Sequence, residues 1–157
     1  MRSLRLLFTL ALAWLLVPAS ASAADSVQCT IRSMHGLQRK GTIDPRLASL
    51  RRQLSKPPFS SFKTIALLES KELTVVRGKV ARTKLPTKKI LRLTFKERLL
   101  SAKKEVRLRM HLSITPPRAL GFLPGTLFSI ANGGTLLVAG DRYSGGTLVV
   151  GVTCLAK

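Results

Sequence analysis

The fold of this chain is decided by the stretch Val106-Arg107-Leu108-Arg109-Met110-His111-Leu112-Ser113-Ile114. Apolar and polar residues alternate through it without a break. An α-helix would scatter these apolar side chains around its circumference, whereas a period of two places all of them on one face of a β-strand. The stretch therefore predicts a half-buried strand over residues 104–114.

Similar segments lie on both sides of it and are punctuated by Gly, Pro and Asn. Further strand candidates cover residues 27–31, 63–69, 73–77, 79–85, 91–96, 126–131, 135–139 and 147–153. The last is almost wholly apolar, which is typical of a strand buried on both faces or central in its sheet. Asn132-Gly133 predicts a type I′ hairpin turn between its two neighbours. Segments 35–41, 116–125 and 140–146 are predicted to be connections.

About eight short strands with frequent turns predict a mainly β protein, an antiparallel β-sandwich or barrel with one short N-terminal amphipathic helix. For the helix, Asp44 is a suitable N-cap and Pro45 suits the first helical position. Leu47, Leu50 and Leu54 line one face, and the Pro-Pro pair that follows ends the helix. We expect about ten residues that cover one end of the sheet structure.

The first 23 residues have the composition of a secretory signal peptide. Arg2 and Arg5 precede an apolar run over residues 6–17, and small residues at 21–23 suit a signal peptidase. No later run is long enough for a transmembrane anchor. The sequence therefore predicts a signal peptide over 1–23 and a single β-rich domain over 24–157. We expect an exported protein, periplasmic or extracellular.

Cys29 and Cys154 are the only cysteines, and both follow the predicted leader. In an oxidising compartment an even pair favours a disulfide, which would bring the first and last strands together. The alternatives are a catalytic thiol or a metal ligand. They are less favoured because the chain has no CxxC motif and only two histidines.

The net charge is unusually positive. Two of the 27 Lys and Arg belong to the leader, and the other 25 stand against seven acids, a net charge of +18. Residues 39–109 hold 21 of these bases and five of the acids. Such a charge attracts anionic partners but carries no information about the fold. The alternative interpretation is a compositional bias without a binding role.

Basic residues on two neighbouring strand candidates form the best candidate site. If residues 97–103 connect a hairpin, one solvent-facing surface would carry basic side chains from both strands and from the tip between them. The candidate anion-binding residues are Arg92, Lys96, Arg98, Lys103, Lys104, Arg107 and Arg109. We expect them to bind an anionic polymer or an anionic lipid surface. The alternative is a solvated face without a ligand.

Catalysis is not indicated by any motif, and we expect neither an enzyme nor a cofactor or metal. His35 and His111 lie in no nucleophile motif, and Glu69 and Glu72 are predicted to flank a turn. Among the aromatic residues, only those at 59 and 62 could stack on bases, so sequence-specific nucleic-acid binding is not expected. The alternative function is an accessory subunit of a bacterial envelope assembly, with a protein partner docked on its apolar C-terminal strands or a sheet edge.

Four short segments carry a resemblance: Ile43-Asp44-Pro45-Arg46-Leu47, Pro58-Phe59-Ser60-Ser61-Phe62, Val138-Ala139-Gly140 and Gly145-Gly146-Thr147-Leu148. Through them the mature chain resembles small exported β-rich proteins of bacteria, myxobacteria among them, that have no assigned function. The resemblance implies export and a β-rich fold. It implies no catalytic or ligand-binding residue.

Overall fold

The structure is a computed structural model that describes residues 25–115 and 125–156. The predicted signal peptide and most of the predicted loop over 116–125 lie outside the described residues. Within them, the alternating stretch over residues 106–114 forms a strand, as predicted, in a mainly β fold. The described strands are β1 (Ser26–Leu37), β2 (Thr64–Val76), β3 (Val80–Lys84), β4 (Ile90–Leu100), β5 (Val106–Thr115), β6 (Thr126–Ala131), β7 (Thr135–Tyr143) and β8 (Gly146–Ala156).

The strands form two four-stranded antiparallel sheets. The first sheet has the order β2-β1-β8-β7, and the second is a meander in the order β3-β4-β5-β6. Sheet one therefore pairs the first described strand with the last, as the cysteine pair predicted. The predicted antiparallel β architecture is confirmed, and the described strands do not close into a barrel.

One apolar core lies between the two sheets. Sheet two contributes the alternate residues of β4 and β5, including the fully buried Leu93, Phe95 and Met110. Sheet one contributes buried residues such as Ile31 and Val152. Because neighbouring side chains on a strand point to opposite faces, the polar residues between these positions lie on the outer face of each sheet.

The disulfide joins Cys29 of β1 to Cys154 of β8, which confirms the predicted pairing. The two residues are directly opposite in the strand register, with their Cα atoms 4.1 Å apart. Both side chains are buried in the core between the sheets. The bond therefore fixes the two ends of the described chain to each other in the middle of sheet one.

The predicted helix is present but has two forms along its length. Pro45–Leu50 is a 3₁₀-helix and α1 (Arg51–Leu54) adds one α-helical turn. The three-residue step from Leu47 to Leu50 suits a 3₁₀-helix, and the four-residue step from Leu50 to Leu54 suits an α-helix. None of the described helices is long and apolar enough to cross a lipid bilayer.

This helical segment covers the outer face of sheet one. Leu47, Leu50 and Leu54 are buried against Met34 of β1 and Val149 of β8 in a second apolar cluster. The carboxylate of Asp44 caps the helix by accepting a hydrogen bond from the backbone N–H of Arg46 at 2.9 Å. β8 therefore lies between two apolar layers, which explains its continuous apolar sequence and confirms the predicted burial on both faces.

The prediction of a hairpin turn at Asn132-Gly133 is wrong. β6 and β7, which flank it, belong to different sheets, so the segment is a crossover between them. The Asn132 side chain accepts a hydrogen bond from the backbone N–H of Ala156 at 2.7 Å, which ties the crossover to β8. The two-residue turn with positive φ at both positions is instead Ser144-Gly145, between β7 and β8.

Several predicted strand boundaries are also corrected. β1 continues through residues 35–37, which we expected to be a connection, and β7 continues to Tyr143. β2 is one continuous strand, so Glu69 and Glu72 lie inside it and do not flank a turn. The two charged residues interrupt the apolar pattern, so the sequence did not predict one continuous strand. They are tolerated within it because β2 lies at a sheet edge, where polar side chains remain in contact with water.

Candidate anion-binding surface

The outer face of sheet two carries a set of cations from three adjacent strands. Leu91 and Leu93 of β4 are buried in the core, so Arg92 between them lies on the outer face. The same alternation places Arg107 and Arg109 of β5 on that face, as the sequence predicted. We define the basic face as the outward cations of β3, β4 and β5: Arg82, Lys84, Arg92, Arg107 and Arg109.

Arg82 and Lys84 belong to this face although the sequence interpretation did not include them. Arg82 lies directly opposite Arg92 in the β3–β4 register, and Lys84 lies opposite Ile90. β3 has an alternating pattern of only five residues, so the sequence could not show which strand it pairs with. Its charged outer positions, both exposed, were the available signal.

The side chain of Arg92 is partly buried in the basic face. Its Nε atom is buried and has no hydrogen-bond partner among the described residues. On the next strand it faces Ser113, which is 6% exposed. A buried guanidinium N–H without an acceptor loses the hydrogen bond it would make to water, and an anionic oxygen would restore it.

Two arginines of the face have identified partners. Arg109 pairs with Glu97 on β4, with Nη1 2.9 Å from Oε1, and both side chains are partly exposed. Arg107 donates from Nε to Oγ of Ser129 at 3.2 Å and from Nη2 to the Ser129 carbonyl at 2.9 Å. The ion pair neutralises Arg109, whereas the neutral partner orients Arg107 and leaves its charge uncompensated.

Arg98 departs from the predicted single surface because β4 contains a bulge. The register with β5 shifts between Phe95 and Glu97, which moves the following residues to the opposite face. Arg98 is therefore opposite the core residue Leu108, and its Nη2 lies 2.7 Å from the carboxylate of Asp25. Lys96 is exposed at the bulge itself.

Lys103 and Lys104 are exposed in the turn that joins β4 to β5, near the tip of the predicted hairpin. Lys104 has a positive φ of 59°, and its backbone N–H closes the turn on the carbonyl of Ser101 at 2.8 Å. Both lysines lie beyond Arg107, at the far end of the basic face from Arg92. They extend the positive surface along the strand direction.

A second group of cations lies away from the basic face. The segment before and around the short helices packs over sheet one and carries exposed basic side chains. These are Arg39, Lys40, Arg46, Arg51, Arg52, Lys56 and Lys63. Because the outer faces of two packed sheets point in opposite directions, the positive charge is divided between two sides of the domain.

Most carboxylates are engaged in ion pairs with nearby bases. Asp25, Asp44, Glu69, Glu97 and Asp141 each lie within 4.0 Å of a Lys or Arg nitrogen. In Asp44, hydrogen bonds from the side chain and backbone N–H of Arg46, with a further bond from the Leu67 N–H, hold the pKa of the carboxyl well below its usual range. Arg82 and Arg92 have no acid opposite them in the strand register.

The two histidines lie on different sheets. His35 packs edge-on against Tyr143 with ring centroids 5.4 Å apart, while His111 lies on the outer face of sheet two opposite Thr94. Within residues 25–115 and 125–156, no three His, Cys, Asp or Glu residues are grouped as metal ligands. The aromatic residues Phe59 and Phe62 pack against the second apolar cluster, so the interpretation that they are available for stacking is not supported.

Comparison of the chain with protein-family models, with curated proteins and with solved structures finds no match.

Proposed function

We propose that this protein is an exported, non-catalytic β-sandwich domain whose basic face binds an anionic polymer. The face presents arginines from adjacent strands of a sheet, and the sheet backbone holds these side chains in fixed rows across the strands. Two successive outward residues of one strand, and therefore two neighbouring rows, are about 7 Å apart. From the position of Ser113 beside Arg92 to Arg107, the face extends about 20 Å along β5. This length suits several charged repeats of a chain better than a single small anion.

The observation that best supports this proposal is that Arg82 and Arg92 lie directly opposite each other on paired strands. Side chains directly opposite on antiparallel strands have Cβ atoms about 5 Å apart, and like charges there are mutually destabilising. No acid faces either arginine in the described register. A phosphate, sulfate or carboxylate bound between them would remove the repulsion and satisfy the buried Nε of Arg92.

Retention on a sulfated-polysaccharide column tests the proposal with a matched control. We expect Arg82→Glu/Arg107→Glu to elute at a much lower salt concentration than the wild type. Arg51→Glu/Arg52→Glu changes the net charge by the same amount on the opposite side of the domain, and we expect it to retain most of the binding. Equal losses would show that net charge alone governs binding and would refute the site.

Anionic vesicles distinguish a polymer ligand from a membrane surface. Binding to vesicles with 30% phosphatidylglycerol should be weaker than binding to the polysaccharide, because a fluid bilayer does not hold its charges in fixed rows. Tighter binding to the vesicles, with the same dependence on Arg82 and Arg107, would identify the ligand as a lipid surface instead.

An accessory role in an envelope assembly is a second candidate, favoured by apolar side chains exposed at one end of the domain. Leu100 is 77% exposed, Val106 on the paired strand is 36% exposed, and Leu155 near the β6–β7 crossover is 52% exposed. Capture of a defined protein partner that survives 0.5 M salt and is lost in Leu100→Ser would support this role. Release of every bound protein by that salt would refute it.

A further inference from the structure

A cavity of about 430 Å³ opens between the two sheets at the end away from the β4–β5 turn. It lies between β5 of sheet two and the β7–β8 hairpin of sheet one. Its volume falls within the range of small-molecule sites in proteins. Its aliphatic walls face the interior of the domain, whereas the cations of the basic face lie on the outside of sheet two, and Ser113 of β5 adjoins both.

The lining is aliphatic. Leu112 and Ile114 contribute one wall from β5, and Leu136 and Val138 contribute the other from β7. The remaining apolar lining residues include Leu85, Leu148 and Val150. Leu136, Val138 and Ile114 are only partly buried by the protein itself. An apolar occupant would therefore remove further apolar surface from water, which is favourable in proportion to the area.

One charged pair marks the rim of the cavity. Lys89 donates a hydrogen bond from Nζ to the carboxylate of Asp141 at 2.5 Å, and both side chains are about three-quarters buried. An ammonium group has three donors, and Asp141 is its hydrogen-bond acceptor among the described residues. Two donors of Lys89 therefore remain for a second anionic oxygen at the rim.

We propose that the cavity binds a single-chain anionic amphiphile, a fatty acid, with its alkyl chain between the sheets and its carboxylate on Lys89. The aliphatic lining selects an alkyl chain, since the lining residues that the structure describes include no aromatic side chain for stacking and few polar groups. The ammonium group at the rim fixes the charged end. Asp141 already compensates the charge of Lys89, so the ligand's carboxylate is bound through the two remaining N–H donors of Lys89 and stays in contact with water at the rim.

Calorimetric titration with octanoate, decanoate and dodecanoate tests the proposal on protein purified after expression of the full chain. Burial of each added methylene should strengthen binding by about two- to fourfold, with one site per molecule and little change between 0.15 M and 0.5 M salt. Affinities that do not depend on chain length, or that vanish at 0.5 M salt, would overturn it.

Two substitutions assign the ends of the ligand. Lys89→Gln should weaken decanoate binding by about tenfold and leave decan-1-ol unchanged, because without the ammonium group only the charged ligand is repelled by the carboxylate of Asp141. Lys88→Gln is the matched control: it removes the same charge from the adjacent exposed residue and should have no effect. Equal effects of the two variants would overturn the placement of the carboxylate.

Val138→Trp fills the cavity from β7 and should abolish decanoate binding while the circular dichroism spectrum is retained. Should this variant fail to fold, the methyl resonances of Ile114 and Val138 in the wild type provide the same test. They should shift on addition of decanoate, whereas those of the exposed Leu155 should not. Arg82→Glu/Arg107→Glu should bind decanoate normally, so failure of the basic face and failure of the cavity are distinguishable. Unshifted cavity methyls would overturn the proposal.

Discussion

The Cys29–Cys154 disulfide should supply a large part of the stability of this domain. The bond closes a loop of 125 residues between the first and last strands. In the chain-entropy model, such a loop restricts the unfolded state by about 5 kcal/mol at 25 °C. The total stability of a domain is about 5–15 kcal/mol, so reduction should remove a large fraction of it. We therefore expect the reduced protein to be marginally folded.

Denaturant unfolding followed by circular dichroism, with and without reductant, measures this contribution. The reduced wild type keeps both thiols in the core, so its loss of stability relative to the oxidised protein reports the cross-link alone. Cys29→Ala/Cys154→Ala also removes two buried sulfurs and should lose a further amount of about 1 kcal/mol for each. A reduced protein within about 1 kcal/mol of the oxidised one would refute the loop-closure reasoning.

Three further predictions concern the helical segment and one turn. Leu50→Ala should destabilise the fold by about 2–5 kcal/mol because the Leu50 side chain is buried between the helical segment and sheet one. The exposed control Arg52→Ala should change stability by less than about 0.5 kcal/mol in the same denaturant assay. Asp44→Asn should lower the melting temperature at neutral pH. The pKa of Asp44 is lower in the folded than in the unfolded state, so its contribution to the stability of the fold is complete above about pH 4 and is lost on acidification. The difference in melting temperature between Asp44→Asn and the wild type should therefore shrink below that pH. A difference that stays constant with pH would contradict the assignment. Gly145→Ala should lower the free energy of unfolding by about 1 kcal/mol because φ is +78° at that position. Gly140→Ala is the control: an added Cβ meets open space at both glycines, and we expect this variant to be nearly neutral. Equal losses of stability in the two variants would exclude backbone strain as the cause.

The strands were predictable wherever one face is buried and the other is exposed. β5 shows this clearly, because its alternation alone identified both the strand and the face that carries Arg107 and Arg109. The helical segment was predictable for a related reason: Asp44 and Pro45 mark its start, and three leucines mark its buried side. The disulfide followed from the number of cysteines and the expectation of an oxidising compartment, without information on pairing geometry.

The topology was less predictable because it depends on contacts between distant segments. Asn132-Gly133 has the local chemistry of a hairpin turn, yet its flanking strands belong to different sheets and bury their apolar side chains in the core from opposite sides. The local preference of two residues is worth about 1 kcal/mol, and the burial of whole strands outweighs it. The actual tight turn, Ser144-Gly145, was hidden inside a segment that we expected to be a longer loop.

The candidate site was predictable in part. Arg92, Arg107 and Arg109 were placed on one face because a period of two is preserved within each strand. Arg98 was misplaced because one additional residue in the β4 bulge reverses the face of everything after it, and no residue type marks that position. The pairing of Arg82 with Arg92 requires the β3–β4 register, which a five-residue strand does not reveal by its own pattern.

The salt dependence of polyanion binding tests the basic face most directly. Each cation that contacts a single-stranded nucleic acid contributes about 0.7 to the slope of log K against log salt concentration. With a 20-nucleotide oligothymidylate as the probe, Arg82→Gln/Arg92→Gln/Arg107→Gln should reduce the magnitude of the slope by about two. Arg51→Gln/Arg52→Gln/Lys56→Gln, which removes the same charge from the opposite side, should leave the slope unchanged. A slope that is the same for the two variants would contradict the assignment of binding to this face.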